Sequence, residues 1–358
     1  MSTAAPHTPQ VGLVIRERDP VNLEYPFEQL DSFLTPNELF YVRNHFEAPE
    51  IDLESYELMV GGAVQEPLAI RYRELRAMPA VTRPATLECA GNGRIFLVPQ
   101  VKGAQWQLGA VSTAEWTGVP LMALLDQAGI DPRACEIVFE GADHGAPKEE
   151  PTPPGKTQYA RSIPVTKAPD VLIAYQMNGE DLSLDHGFPV RAIVPGHYGM
   201  ASVKWLTHIH VLTAAFHGYW QTSDYGYWEY VDGNPVRVPL GPVHLKSAIA
   251  RPSVRELVHA GSSYPVYGAA WAGDTHVARV EVSTDGGLSW SPATLLDEAA
   301  RFVWRRWSFT WQVPEAPGTY VLMSRAIDSE GRVQPDHHDP SYGTYVVDQT
   351  LRIEVTVR

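Results

Sequence analysis

From about Leu245 onward the chain is written in period two, and that constrains its fold more than any other feature. Ala278-Arg-Val-Glu-Val-Ser-Thr284 alternates strictly, Asp285-Gly286-Gly287 supplies a hairpin turn, and Tyr320-Val-Leu-Met-Ser-Arg-Ala326 begins another strand. Such runs recur at roughly ten-residue intervals with hardly a helical period, and over about 110 residues that spacing implies a β-sandwich. The boundary with what precedes it falls near Ser247-Ala248, giving units of 1–24, 25–246 and 247–358.

The middle unit reads as mixed α and β. Residues 1 to about 24 form a polar arm, and Thr35-Pro36-Asn37-Glu38-Leu39-Phe40 offers a helix start with Thr35 as N-cap and Pro36 at N1. Tyr56–Val60 reads as a strand and Tyr72–Met78 as a helix. Val119–Ala128 is a clearer helix, closed by Gly129 where a C-cap glycine belongs. Glu136–Glu140, Val171–Gln176 and Pro189–Val194 run apolar or alternate as strands do. Thirty prolines and twenty-eight glycines suit short extended segments joined by turns.

Charge and cysteine usage exclude whole classes of function. A net charge of −14 argues against nucleic acid, which needs a surplus of lysine and arginine, but a few clustered cations can still make a local site for a small anion. Two cysteines, Cys89 and Cys135, do not make a disulfide scaffold. The absence of a Cys-x-x-Cys-His run excludes c-type haem attachment. The N-terminus lacks a signal-peptide core and a twin arginine, and no apolar run approaches the ~20 residues of a membrane span. The expected location is cytoplasmic, or periplasmic if a leader was removed.

Four stretches carry residues suited to chemistry. Thr86-Leu-Glu-Cys-Ala-Gly-Asn-Gly-Arg-Ile-Phe-Leu-Val98 places Cys89 before a small-residue turn. The thiol is either a packed core cysteine or a ligand or nucleophile whose pKa is lowered by nearby Arg94 and Lys102. Tyr41-Val-Arg-Asn-His45 offers the Arg43 fork and the His45 ring to an oxyanion, or is a surface arginine beside a capping asparagine. Asp185–Arg191 followed by Pro195–Leu206 could cradle a phosphate with backbone N–H groups and cations, though it matches neither the Walker nor the Rossmann pattern. His208-Ile-His210 with His217 has a metal-like spacing but no Glu or Cys at ligand spacing, and such histidines are more often hydrogen-bonded core residues.

Taken in order, Cys89-Ala-Gly-Asn-Gly-Arg94, Val101-Lys-Gly-Ala-Gln-Trp106, Trp116-Thr-Gly-Val-Pro-Leu121, Asp185–Arg191 and Val203-Lys-Trp-Leu206 resemble the sulfite oxidase family of molybdenum enzymes. Asp285–Trp290, Arg325–Asp328 and Val333–Pro335 resemble that family's immunoglobulin-like dimerisation domain. The resemblance implies an α+β molybdopterin-binding domain followed by an all-β immunoglobulin-like sandwich, one molybdenum with one molybdopterin, and a homodimer. It makes Cys89 the molybdenum ligand, Arg43, Arg94, Lys102 and Tyr225 the substrate site, and Asn44, His45, Asp143, His186, Arg191, Ser202 and Lys204 the holders of the pterin and its phosphate.

By the same resemblance the reaction is oxidation of sulfite to sulfate, with reduction of nitrate or an S-oxide as the alternative on the same site. The haem domain of the animal enzymes has no room in this chain, so electrons are expected to pass to a separate acceptor, with no nucleic acid and no membrane as partners. Gly93 stands where the animal enzymes carry a second arginine, Gly226 where they carry a lysine, and Ala201 where they carry an arginine. Each change is expected to remove positive charge from an anion site.

Overall fold

In the computed structural model, which describes residues 12–148 and 152–358, the chain opens with a hairpin of β1 (Val14–Arg18) and β2 (Val21–Glu24). Residues 1–11 of the expected polar arm lie outside the described residues. The remainder of the arm is not a free tail, because Leu13 and Leu23 pack with Val42 and a Leu23–Val42 bridge ties the hairpin to the segment that leads to Arg43. The helix expected from Thr35 is a single 3-10 turn, Asn37–Leu39, without a side-chain cap. Thr35 is spent elsewhere: its N–H donates to the Thr113 carbonyl and its hydroxyl accepts the Thr113 N–H.

Next come β3 (Glu57–Gly62), β4 (Leu68–Arg71), α1 (Tyr72–Ala77), β5 (Val81–Glu88), β6 (Val111–Pro120) and α2 (Leu121–Ala128). In α2 the buried residues are Leu121, Leu124, Leu125 and Ala128, the single face that a 3.6-residue period creates. Gly129 ends it at φ +66°, its N–H returning to the Leu125 carbonyl. Then follow β7 (Glu136–Gly145), β8 (Thr157–Pro164), β9 (Leu172–Met177), β10 (Glu180–Asp181), β11 (Arg191–Ile193), β12 (Leu206–Leu212) and the hairpin β13 (Gly226–Val231) and β14 (Asn234–Pro239).

These strands form two main sheets. One has the order β10-β9-β6-β5 with β11 on β9; the other runs β4-β3-β12-β7-β8, with β12 parallel to β3 and antiparallel to β7. Alternation along β12 buries Ile209 and Val211 and leaves His208 and His210 half-buried on the opposite face, so these histidines are not core residues as expected. His217, in the loop beyond, is exposed.

The second unit contains β15 (Lys246–Arg251), β16 (Leu257–Val258), β17 (Ser263–Trp271), β18 (Val277–Ser283), β19 (Ser291–Pro292), β20 (Thr294–Leu295), β21 (Arg305–Gln312), β22 (Gly318–Asp328) and β23 (Ile353–Val357). They build a four-stranded sheet, β15-β17-β21-β20, over a five-stranded one, β16-β23-β22-β18-β19. Val266 and Trp307 from the first sheet meet Val280, Leu322 and Val355 from the second in the sandwich core. The turn after β18 is longer than a two-residue hairpin. The Asp285 carboxylate accepts the N–H groups of Leu288 and Ser289 and so orders the whole loop, while Gly286 and Gly287 take positive φ.

A separate core cluster crosses between the units, placing Ala248, Trp271, Trp304 and Val346 of the second among the buried residues of the first. The sandwich therefore forms part of the wall behind β5.

Candidate active site around Cys89

Strand β5 ends where the candidate site begins. The Cys89 N–H donates to the Ala110 carbonyl at 2.9 Å, the Asn92 N–H returns to the Cys89 carbonyl at 2.9 Å, and the Arg94 N–H to the Gly91 carbonyl at 3.0 Å. Small residues are required here. A Cβ on Gly91 would stand 2.4 Å from Arg94 Nη2, and Gly93 sits at φ +93°, a conformation few side chains tolerate.

Cys89 lines two cavities at once. An inner cavity and an outer one share Arg43, His45, Cys89 and Tyr225 as walls. The inner one adds Asn44, Asp143, His186, Arg191, Ser202 and Lys204, and the outer one adds Arg94 and Lys102. The fold thus gathers around one sulfur every residue that the resemblance assigns to the metal, the substrate and the pterin, although they span Arg43 to Tyr225.

The inner cavity is a lattice of buried donors. Arg191 donates through Nη1 to the His186 carbonyl at 2.9 Å and through Nη2 to the Ser202 carbonyl at 3.0 Å, and its guanidinium lies 5.0 Å from the Trp116 ring centroid. Lys204 Nζ donates to the Asp185 carbonyl at 2.7 Å and to the Asn44 side chain. The Ser202 hydroxyl accepts the Val194 N–H at 3.0 Å. Burial pushes Arg191 down to about 10 and His186 down to about 3, so His186 is neutral. Burial also lowers Lys204 and raises Asp143. Three buried atoms of this wall have no hydrogen-bond partner: Asp143 Oδ1, His186 Nε2 and Arg191 Nε.

The outer cavity is cationic at its base. Arg43 Nη1 donates to the Asn44 carbonyl and lies 3.5 Å from Asn22 Oδ1. Burial works against its charge, yet its pKa stays above the usual arginine range, with the Glu17 carboxylate among the groups that offset burial. Arg94 is partly committed to structure, donating to the carbonyls of Thr344 at 3.0 Å and Ala104 at 2.8 Å beneath the Tyr345 ring. Lys102 is exposed at the rim. Tyr225 Oη and His45 Nε2 are 2.5 Å apart. Burial raises the phenol and lowers the imidazole, so both stay neutral.

One electrostatic expectation is overturned. Cations were expected to lower the Cys89 pKa, yet desolvation dominates and raises it, with Arg43 and Arg94 only partly offsetting burial. The free thiol is protonated; coordination by a metal is what removes such a proton.

Two of the three positions expected to lose charge do not line either cavity. A Cβ at Gly93 would meet Val347 Cγ1 at 3.2 Å and Lys246 Nζ at 3.5 Å, in the second unit, and Gly93 lines neither cavity. Ala201 is buried in the core and lines neither. Gly226 does line the outer cavity, where a Cβ would press on Arg237 Nε at 2.8 Å.

Several contributors were not read from the sequence. Asn22 accepts the Asn44 N–H at 2.7 Å and so orients the Arg43–His45 segment from the first hairpin. Buried Arg161 donates to the Trp220 and Leu240 carbonyls at 2.5 and 2.7 Å, fixing the π-helical turn Tyr219–Asp224 that presents Tyr225. Lys148, Arg237 and the 340–345 segment complete the outer wall. None has a local pattern; only the Gly-Asn-Gly and His-Gly-Phe-Pro stretches carried one.

Comparison with known proteins agrees with this geometry. Residues 45–220 match the family model described as oxidoreductase molybdopterin binding domain, and residues 240–355 match the Mo-co oxidoreductase dimerisation domain. The chain is 38% identical over 347 residues to mitochondrial sulfite oxidase of Mus musculus, covering 91% of this chain and 62% of that protein. It is 39% identical over 352 residues to sulfite oxidase of Gallus gallus, covering 92% of this chain and 74% of that protein. The structure resembles that of the sulfane dehydrogenase SoxCD from Paracoccus pantotrophus, with a TM-score of 0.81 and 29% identity over 94% of this chain and 85% of that one.

The residues present fit a molybdopterin with its metal. Unpartnered Asp143, His186 and Arg191 atoms line the inner cavity, as a ligand rich in donors and acceptors requires, Lys204 and Arg191 supply cations for a phosphate, and Cys89 supplies a soft thiolate ligand at its outer end. Ordered motifs, two-cavity geometry and similarity along nearly the whole chain agree: this protein belongs to the sulfite oxidase family of molybdopterin-dependent oxidoreductases.

Proposed function

We propose that the protein oxidises sulfite to sulfate and delivers the electrons to an external acceptor. The observation that carries this reading is the position of Cys89 at the junction of a polar, donor-lined cradle and a cation-walled cavity. Sulfite and water give sulfate, two protons and two electrons. Cys89 and the inner-cavity residues would hold a molybdenum with one molybdopterin, which when bound would supply the oxygen-atom transfer and two-electron redox chemistry.

The chain's own residues bind and orient the anion. Arg43, charged at every working pH, offers its guanidinium fork to two sulfite oxygens. Lys102 and Arg94 add positive potential along the approach, enough to admit a small dianion into a protein of net charge −14. Tyr225 and His45 contribute a neutral hydrogen-bonded pair that helps to fix substrate position without changing the site's charge. Asn44, Asp143, His186, Arg191, Ser202 and Lys204 hold the pterin and its phosphate. The 240–355 domain pairs two copies into a homodimer.

The test is steady-state turnover of one molybdenum-loaded preparation with sulfite and with nitrate, across several electron acceptors and donors. Sulfite-dependent reduction of an acceptor supports the proposal. Nitrate turnover without sulfite turnover would replace it with the reductase reading.

A further inference from the structure

The fold supplies the carboxylate that the His208-x-His210 pair lacks in the sequence. His208 and His210 share one face of β12, and the cross-strand partner of His208 on β7 is Glu140. Ligand atoms of Glu140, His208 and His210 all lie within 4.8 Å of one another. The two imidazoles stack in parallel, 5.2 Å between centroids and 5° between planes. His208 Nδ1 is 3.6 Å from Glu140 Oε1, and Thr207 Oγ1 is 3.0 Å from the same nitrogen. None of these residues lines either cavity at Cys89.

We propose that Glu140, His208 and His210 form a second metal site, on the outer face of the β3-β12-β7 sheet, that takes a zinc-type divalent ion. Two imidazoles and a carboxylate form a common zinc ligand set, and water takes the fourth position. With bonds of about 2.1 Å, tetrahedral donors stand about 3.4 Å apart. The His208–Glu140 pair is already near that separation, and all three ligand atoms lie within 4.8 Å, so side-chain rotation without backbone movement is enough to close the site. The backbone is shaped for it: the β12–β7 register shifts between Leu206 and His208, and the β7–β8 register shifts between Glu140 and His144. Bulges of this kind re-aim side chains beside functional sites. The ion would clamp β7, which carries Asp143, to β12, which begins two residues after Lys204, and so brace the pterin cradle from behind.

The molybdenum-loaded protein, dialysed against a chelator that leaves molybdenum bound, is titrated with Zn²⁺ by calorimetry, and Co²⁺ is used as an optical probe of four-coordinate binding. Wild type is expected to bind one zinc that the His208→Ala/His210→Ala double variant does not bind. Glu140→Gln, nearly isosteric, is expected to weaken binding at least tenfold. Zinc is expected to raise the Tm of wild type but not of the double variant, while molybdenum content stays equal in both. The proposal is overturned if wild type takes up no zinc at micromolar concentrations, or if the double variant binds it as wild type does.

Discussion

Lys246 Nζ lies 3.1 Å from Glu88 Oε1, with both side chains about 3% exposed, so that a buried ion pair joins the residue before Cys89 to the first strand of the second unit. Glu88 also accepts from Trp271 Nε1 at 2.8 Å and Asn92 Nδ2 at 3.0 Å, and Lys246 donates to the Asn92 carbonyl at 3.0 Å. Removing one member of such a pair strands the other charge, at roughly 3–5 kcal/mol. Lys246→Met is expected to lower the Tm sharply and to reduce molybdenum retained per chain. Thermal unfolding with a metal count checks this; an unchanged Tm would show that the pair is not coupled to the fold.

Cys89→Ser is expected to abolish turnover while leaving the fold intact. The hydroxyl fills nearly the same space but replaces a soft ligand with a hard one. Activity, molybdenum content and circular dichroism on the same sample decide it, and wild-type turnover in the variant would contradict the ligand role.

Arg43→Gln removes the charged fork from both cavities. Charged hydrogen bonds of this kind are worth about 1.5–3 kcal/mol, and a tenfold rate change corresponds to about 1.36 kcal/mol. The expected loss in kcat/KM for sulfite is therefore roughly 10- to 100-fold. Lys102→Ala, at the exposed rim, should change KM less and in a manner that salt erases. Equal losses from the two variants would remove the distinction between clamp and rim.

Gly93→Arg would restore the residue that the animal enzymes carry, but the left-handed backbone and the nearness of Val347 and Lys246 place the new side chain against the second unit. Strain of about 1–3 kcal/mol is expected, with a lowered Tm and little gain in sulfite affinity. A several-fold fall in KM at unchanged Tm would show that position 93 faces the substrate after all.

Stability should fall on acidification. His186 at about 3 and His197 at about 4 are held below the ordinary 6.5 by burial, so between about 6.5 and 4 the unfolded chain binds protons that the native one does not. Each group contributes a slope of about 1.36 kcal/mol per pH unit, and Asp143, raised by burial, acts in the opposite sense. A net loss of roughly 1–3 kcal/mol per pH unit is expected below pH 6.5. Urea midpoints of cofactor-free protein across a pH series measure it; a flat profile would mean that these imidazoles are solvated.

Parts of this architecture were legible locally. Helix α2 could be read because its buried face and C-cap glycine are set by residues a few positions apart, and the strictly alternating β18 could be read for the same reason. Thr35 misled because its hydroxyl and N–H pair with Thr113 rather than cap a helix. Glu140 was invisible as a partner of His208 because the two are joined only through strand register. Cys89 was misjudged electrostatically because its two neighbouring cations are conspicuous in or near the sequence, whereas the burial that outweighs them depends on the whole fold.

The sequence alone determined the strand periods, the glycine turns and the order of motifs that places the chain in its family, because each depends on neighbours along the backbone. Tertiary structure decided which side chains share a wall, which charges lose their water and where a missing arginine would point. Those properties arise from contacts such as Lys246 with Glu88, 158 residues apart, and from desolvation that no local pattern encodes.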